Sequence, residues 1–458
     1  MSKYLPTLLL ISILLLGWQL LALLVGLPDL VPQVPRLILT LADLFTSETF
    51  YLSVAATVSR GIAGMLLSLF AAIGVAFLFN WSEKVDELFH PLLTIMRSVP
   101  AISFILLALI FLNAESIPLL IAFLTMFPLL AENLAKGIKN QREGLLTMAR
   151  QFRIGRWNKL TQVIYPQLKP FLYSGLASAS GFGWRAIIMG EVLAQCTPGI
   201  GGEMKKAQSF IEVPELMAWT IVAILISYLS DKGISQLGKL QFHIRYKAHP
   251  SGCLLSEKGG EIRIDDMTFQ YDTHPVLSHF SYTFAKGTIY GVKAPSGAGK
   301  TTLFHLIRGV LQPTQGKIKT GQVRIANVFQ EPELLDQLTV KENISLPLAA
   351  SLKKEAALRQ AGKVLIEMEM EEMGDRFPSE LSFGQQQRVA IARALAYSAP
   401  ILLMDEPFKG LEEALKCRII SRIIKRQAES KQTILFSSHD PDELQMLADR
   451  VVSWKTPD

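Results

Sequence analysis

Cysteine is scarce. Cys196, Cys253 and Cys417 are the three in 458 residues; they lie far apart, are odd in number and show no CxxC spacing. That speaks against a disulfide framework or a thiolate metal site and leaves three free thiols. Charge is missing from long stretches as well: Leu5 to Leu27 contains no Asp, Glu, Lys or Arg, and apolar runs recur as far as Leu229. No A-x-A-like cleavage site follows the first run, which exceeds the apolar region of a typical signal peptide, so it reads as a membrane span rather than a leader. A basic face of the sort duplex binding needs is also lacking. Of the +6 net charge, the segment Lys136 to Pro170 supplies eight Lys/Arg against one acid, Glu143, which leaves the remainder close to neutral. Nucleic acid is therefore not an expected partner.

What is present divides the chain in two. Half of the residues are hydrophobic, concentrated toward the N-terminus, and after Lys239 the composition becomes that of a soluble domain. A span needs about 20 apolar residues. Leu5–Leu27 and Val54–Asn80 meet that length; Leu92–Leu112 and Phe171–Gln195 do so with Arg97, Arg185 and Glu191 as interruptions; Ile117–Ala131 and Leu216–Leu229 are short. The expected fold is thus an all-α polytopic membrane domain of about six transmembrane helices followed by an α/β P-loop domain. Its boundaries read as 1–240 for the membrane domain, 241–261 for a Gly/Pro/Ser-bearing linker and 262–458 for the soluble domain. With Lys3 inside, the loop after the first span carries only Arg36 and lies outside, while the basic loop 136–170 and everything after the sixth span fall inside. Charges within spans are costly and face a pathway or a partner. For Arg60, Arg97, Arg185 and Glu191 the two readings are attraction of an anionic solute and pairing between helices, and pairing is preferred.

The soluble half carries ordered motifs. Ile262–Phe269 is β-rich, and Thr288–Lys293 reads as a buried strand. Ala294-Pro295-Ser296-Gly297-Ala298-Gly299-Lys300-Thr301-Thr302 then opens a helical pattern, which is the strand, glycine-rich loop and helix order of a P-loop. Backbone N–H groups of Ser296 to Thr302 surround phosphates, Lys300 neutralises β/γ oxygens, and the Thr301 hydroxyl reaches Mg²⁺. Ala294 stands where the motif has its first glycine, which is tolerable if its φ is negative. The apolar run Ile401–Met404 ends in Asp405 and Glu406. A buried parallel strand presents such acids at its C-terminal edge, Asp405 to hold Mg²⁺ and Glu406 to polarise water.

Leu381-Ser382-Phe383-Gly384-Gln385-Gln386-Gln387-Arg388 resembles the signature of ATP-binding cassette (ABC) proteins, with Phe383 where glycine is usual. Thr147 to Trp157, continuing through Val163-Ile164-Tyr165-Pro166 to Pro170, resembles the EAA loop of importers that work with a binding protein. Gly17-Trp18-Gln19-Leu20, Arg97-Ser98-Val99-Pro100, Trp184 through Glu191 and Gly199-Ile200-Gly201 look most like permeases for sulfonates, taurine and nitrate. The resemblance implies a bacterial importer of the cytoplasmic membrane, with permease and ATPase in one chain and the ATPase on the cytoplasmic side. It implies a homodimer in which Ser382, Gly384 and Gln385 of each copy close over ATP held by the other. A separate extracytoplasmic binding protein, ATP with Mg²⁺, and an imported small molecule follow from the same resemblance, as does docking of the EAA loop on the ATPase. Tyr271 matches the aromatic that stacks on adenine. Gln330 matches the Q-loop residue that contacts Mg²⁺ and water, and His439 the switch histidine that reaches the γ-phosphate. Phe383 either narrows the phosphate site or points away from it. Phe408 to Glu412 departs from the family's Ser-Ala-Leu-Asp loop, which touches communication between the two ATP sites. Nineteen residues follow His439, and no further regulatory domain is expected. A regulatory complex that moves no solute and an exporter are the rival readings; short outer loops disfavour the first and the EAA-like loop the second.

Overall fold

The computed structural model describes residues 5–27, 29–81, 83–240, 246–248, 260–271, 274–295, 297–321 and 323–454. Most of the expected linker falls outside them, as does Cys253. Two compact units are present, Met1–Gln141 with Leu168–Phe242, and Arg142–Gln167 with His243–Asp458.

The first unit is all helical among the described residues. Its long helices are Leu5–Val25, Glu48–Trp81, Ile117–Lys139, Val213–Lys239 and Tyr165–Ala194, the last entering the unit from Leu168. By length and composition, Glu48–Leu78, Ala114–Lys139 and Val213–Lys239 are able to cross a membrane. Two of these correspond to runs that hydropathy alone reads as short. They lengthen because charged residues continue the helix: Glu132 pairs with Lys136 one turn on at 2.8 Å and also with Arg97.

Leu92–Leu112 differs from expectation. It is two helices, Glu87–Ser98 and Ala101–Phe111, meeting at 91°. Pro100 removes a backbone donor and drives the preceding Val99 out of the α region, so the helix ends there. Counting this bent pair as one span gives four among the described residues, against about six expected. The described apolar part of the first helix, Ser12–Val25, is short, and Tyr165–Ala194 does not reach the required apolar content. Ser174, Ser178, Arg185 and Glu191 interrupt the latter.

Small residues let these helices approach closely. A Cβ on Gly61 would overlap the Trp184 ring, and Ala122, Met126, Leu130, Trp184 and Ile187 share one buried core. The charge inside that packing is compensated. Glu191 is fully buried and accepts from Arg60 Nη1 at 2.7 Å, from the Thr57 hydroxyl at 2.9 Å and from the Gly201 N–H at 2.9 Å. Arg60 also donates to the Pro198 carbonyl, and Thr57 accepts from the Ile200 N–H. Residues 57–60 of one helix and the turn at 198–201 are thereby tied to one carboxylate. Arg60, Arg97 and Glu191 thus take the helix-pairing role, whereas Arg185 is exposed.

The second unit holds eight strands among the described residues: β1 Ile262–Tyr271, β2 His274–Phe284, β3 Ile289–Lys293, β4 Gln315–Lys319, β5 Ile325–Val328, β6 Ile401–Asp405, β7 Thr433–Ser437 and β8 Arg450–Ser453. An antiparallel sheet runs β2-β1-β4, and a parallel one runs β5-β6-β7-β3-β8. β6 and β7 are buried at every residue and β3 at all but Lys293, as suits parallel strands covered on both faces.

Residues 142–167 fold with this unit. Helix Glu143–Gln151 and the helical turns from Arg156 to Ile164 bury Leu145, Met148, Phe152, Ile154 and Val163 in the core that also contains Val328, Phe329, Leu335 and Tyr397. Phe152 meets Tyr397 edge-on at 5.2 Å and lies under the Arg393 guanidinium at 5.3 Å. Arg393 donates to the carbonyls of Pro332 and Glu333, and burial lowers its pKa to about 10.

Replacing Glu191 by Ala leaves the half-buried Arg60 without its anion, which costs up to about 3 kcal/mol. A fall in the thermal unfolding midpoint of the detergent-solubilised protein is the expected result, with partial recovery in Arg60→Met/Glu191→Leu. An unchanged midpoint in Glu191→Ala would show that the carboxylate holds nothing together.

Candidate functional site

β3 ends at Lys293 and the chain turns through Ala294–Gly299 into helix Lys300–Ile307. Ser296 lies outside the described residues. Gly297 and Gly299 have φ of +81° and +85°, which L side chains rarely adopt, and a Cβ on Gly299 would stand 2.6 Å from Val276 Cγ1. Ala294 is not among the left-handed residues, so the missing glycine leaves the turn intact. Ala298 and Thr302 are buried in the turn and the helix that follows.

Lys300 is buried and donates to the carbonyls of Ala294 at 2.7 Å and Pro295 at 3.1 Å. Burial pushes its ammonium pKa down, while Glu406 and Asp405 oppose the shift. The Thr301 hydroxyl donates to Asp405 Oδ2 at 2.9 Å. Glu406 then accepts at Oε1 from His439 Nε2, 2.9 Å away, and Oε2 lies 3.5 Å from Gln330 Nε2. Lys300, Thr301, Gln330, Asp405, Glu406 and His439 are therefore gathered at the C-terminal edge of the parallel sheet, where ligands bind in open α/β folds.

Glu406 has φ +46°. A non-glycine residue held there stores about 1–3 kcal/mol of strain, a cost that clusters at functional sites. Ser437 over-determines that turn: its hydroxyl donates to Asp405 Oδ1 at 2.6 Å and accepts from the Glu406 N–H at 3.0 Å. Asp405 and Ser437 are register partners across β6 and β7. Sequence reasoning passes over Ser437 because only strand register reveals it.

A second group steadies His439. The Ser438 hydroxyl donates to Glu443 and accepts from the Asp440 N–H, while buried Lys416 pairs with Glu413, Asp440 and Glu443 at 2.8–3.2 Å. Burial works against the Lys416 charge, but its hydrogen bonds to the three carboxylates outweigh it and raise the pKa.

Tyr271 ends β1, half exposed and edge-on to Phe269. Ser382, Gly384 and Gln385 make their contacts apart from the P-loop group. Ser382 caps helix Phe383–Tyr397 by accepting from the Gln385 N–H, and Gln385 Oε1 accepts from the Ser382 N–H. A Cβ on Gly384 would run into the Gly410 carbonyl. Gly410 has φ +76°, and a Cβ there would stand 3.0 Å from Phe383 Cδ1. The Phe383 ring thus lies over Gly410 while remaining 37% exposed.

The family described as "ABC transporter" matches residues 277–409, and "Binding-protein-dependent transport system inner membrane component" matches residues 64–231. Among similar curated proteins, the sulfate/thiosulfate import ATP-binding protein CysA 1 of Agrobacterium fabrum is 36% identical over 207 residues, covering 42% of this chain and 60% of that protein. The thiamine import ATP-binding protein ThiQ of Escherichia coli K12 is 36% identical over 204 residues, 42% of this chain and 86% of that protein. The chain thus spans under two thirds of the first relative and most of the second. Solved structures include a dimeric post-hydrolysis state of an ATP-binding cassette bound to ADP and Pi, 27% identical with TM-score 0.40, covering 43% of this chain and 97% of that one. An inward-facing putative metal-chelate type ABC transporter is 25% identical with TM-score 0.38, covering 43% and 79%.

Two substitutions probe the geometry. Gly410→Ala forces an L residue into the left-handed region and against the Phe383 ring, costing about 1–2 kcal/mol. Adding Phe383→Ala restores only the contact part, so the double variant unfolds between wild type and Gly410→Ala in thermal scans; full recovery would exclude the backbone contribution. Phe152→Ala deletes a fully buried ring and leaves a cavity in its place, costing about 3–5 kcal/mol, and loosens residues 142–167. Tryptic cleavage after Arg150 or Arg153 then accelerates by about tenfold or more at unchanged nucleotide affinity, and an unaltered cleavage rate would mean the ring does not anchor the segment.

Proposed function

Because this chain belongs to the ABC transporter family, with a binding-protein-dependent inner-membrane component and an ATP-binding cassette in one polypeptide, we propose that it imports a small solute across the bacterial cytoplasmic membrane at the expense of ATP. The observation that carries this reading is the convergence of Lys300, Thr301, Gln330, Asp405, Glu406 and His439 on one sheet edge, in a unit whose core also receives residues 142–167. Chemistry and mechanical output share one folded body.

ATP enters with its adenine against Tyr271. Its phosphates occupy the turn Ser296–Thr302, and Lys300 leaves the Ala294 and Pro295 carbonyls for the β/γ oxygens. The Thr301 hydroxyl and Asp405 carboxylate, 2.9 Å apart, are hard oxygen donors suited to Mg²⁺, with Gln330 beside them. When bound, that ion neutralises phosphate charge. Glu406 takes the proton of the water whose oxygen attacks the γ-phosphorus; the bond to the β–γ bridging oxygen breaks, and ADP and phosphate leave. His439 turns from Glu406 toward the γ-phosphate, which frees the carboxylate for that proton.

Two copies pair so that Ser382, Gly384 and Gln385 of one close over ATP held by the other. Residues 142–167, on the cytoplasmic side, deliver closure and release to the membrane helices, and an external binding protein supplies the solute. The relatives' names concern sulfate, thiosulfate and thiamine import; for this chain the exposed Arg185 favours an anionic solute.

Glu406→Gln keeps the shape and removes the base. In vesicles, ATP hydrolysis by this variant falls by about 10²–10⁴-fold, the usual contribution of general base catalysis, and uptake stops with it, while nucleotide affinity holds. Equal hydrolysis rates in variant and wild type would remove Glu406 from the reaction.

A further inference from the structure

A cavity of about 820 Å³ opens in the ATPase unit between helix Glu143–Gln151 and the end of helix Lys300–Ile307. Its volume is that of a small-molecule pocket. Arg150, Arg153 and Arg308 line it, no acidic residue does, and Ile307, Ile318 and Ile325 supply apolar wall. Three cations around a partly apolar cavity suit one ligand chemistry.

Arg308 is the unusual member. It is 8% exposed, and its Nε and Nη2 are sealed from solvent without a hydrogen-bond partner. Those two N–H groups form the side-on edge of the guanidinium, which matches two oxygens of a carboxylate, sulfonate or phosphate. The cation instead rests on aromatic rings, 4.9 Å from the Phe329 centroid and 5.7 Å from that of Phe304. A buried charge held only by ring faces is under-compensated; burial accordingly lowers its pKa to about 10, although Asp405 opposes the shift.

The surroundings tie this residue to the ATP site. Phe329 precedes Gln330, whose amide lies beside Glu406. The Arg308 carbonyl accepts from Gln151 Nε2 at 3.3 Å, and Gln151 Oε1 accepts from Asn327 Nδ2.

We propose that this cavity is a binding site for a small organic oxyanion with an apolar moiety, and that the bound anion draws the Arg308 guanidinium off Phe329 and so changes the rate of ATP hydrolysis. Arg150 and Arg153 are exposed at the cavity and attract the anion; Arg308 grips it. The ligand's oxyanion belongs either to a soluble organic acid or to a phospholipid headgroup.

Butanesulfonate, titrated calorimetrically into the full chain in neutral phosphatidylcholine nanodiscs, separates these sources when set beside ATPase rates in neutral and phosphatidylglycerol-containing discs. Arg308→Met and Arg150→Gln/Arg153→Gln are the variants; nucleotide affinity checks their folding, and the second pair keeps the test alive if Arg308→Met fails to fold. Butanesulfonate binding that accelerates or slows hydrolysis, weakened by about tenfold or more in either variant, establishes the site for a soluble anion. A rate that changes only with phosphatidylglycerol, and not in the variants, assigns the same site to a headgroup. Binding and rates equal in wild type and variants, or no response in either arm, overturn it. None of these readouts needs transport, so their failure leaves the importer reading to the Glu406→Gln result.

Discussion

Phe152, sealed between Tyr397 and the guanidinium of Arg393, is the contact on which the working arrangement depends. It belongs to a segment that leaves one compact unit after Gln141 and returns at Leu168, yet its apolar face is built into the core of the other. Burying a ring of this size contributes about 1.5–3 kcal/mol, and Leu145, Met148, Ile154 and Val163 add to it. A surface ion pair contributes far less and weakens with salt. The segment therefore moves when the cassette moves, because detaching it exposes a continuous apolar face.

The same economy of constraint appears at the C-terminal edge of the parallel sheet. Ser437 uses one hydroxyl to hold both carboxylates, Asp405 by donation and the Glu406 backbone by acceptance. Glu406 is thereby kept in a strained conformation that aims its side chain at His439 and Gln330. Lys300 meanwhile satisfies its ammonium on loop carbonyls. Each charged group has a partner inside the protein, so little uncompensated charge is left at the edge of the sheet.

Much of this is legible in the sequence where the physics is local. β3, β6 and β7 announce themselves as continuous apolar runs because both faces are covered, and the P-loop declares itself by glycines that its turn demands. The helices of the membrane half are visible as runs, but their ends are not, since Glu132, Lys136 and Asp231 continue helices past the apolar stretch. The bend at Pro100 was within reach, because proline and its predecessor both disfavour helix; counting apolar residues alone hides it. Ser437 and Arg308 were not within reach. One acts through strand register, and the other is a basic residue in a helical pattern, where solvent exposure is the ordinary outcome.

The pairing of charge in the membrane half separates architecture from candidates for function. Glu191 and Arg60 satisfy each other together with Thr57, Gly201 and the Pro198 carbonyl, so their charge is consumed in tying helices to the turn that follows. Arg97 is spent on Glu132 in the same manner. Arg185, on the helix that carries Glu191, is exposed. Holding a guanidinium against hydrocarbon costs several kcal/mol, by insertion scales about 2.5–3.5, whereas water or a second copy removes that cost. The face bearing Arg185 also bears Ser174 and Ser178, both exposed. At helical spacing these three form a polar stripe that is poor at meeting lipid. Its physical requirement is a polar neighbour, which water, a second copy or a polar solute supplies and hydrocarbon does not.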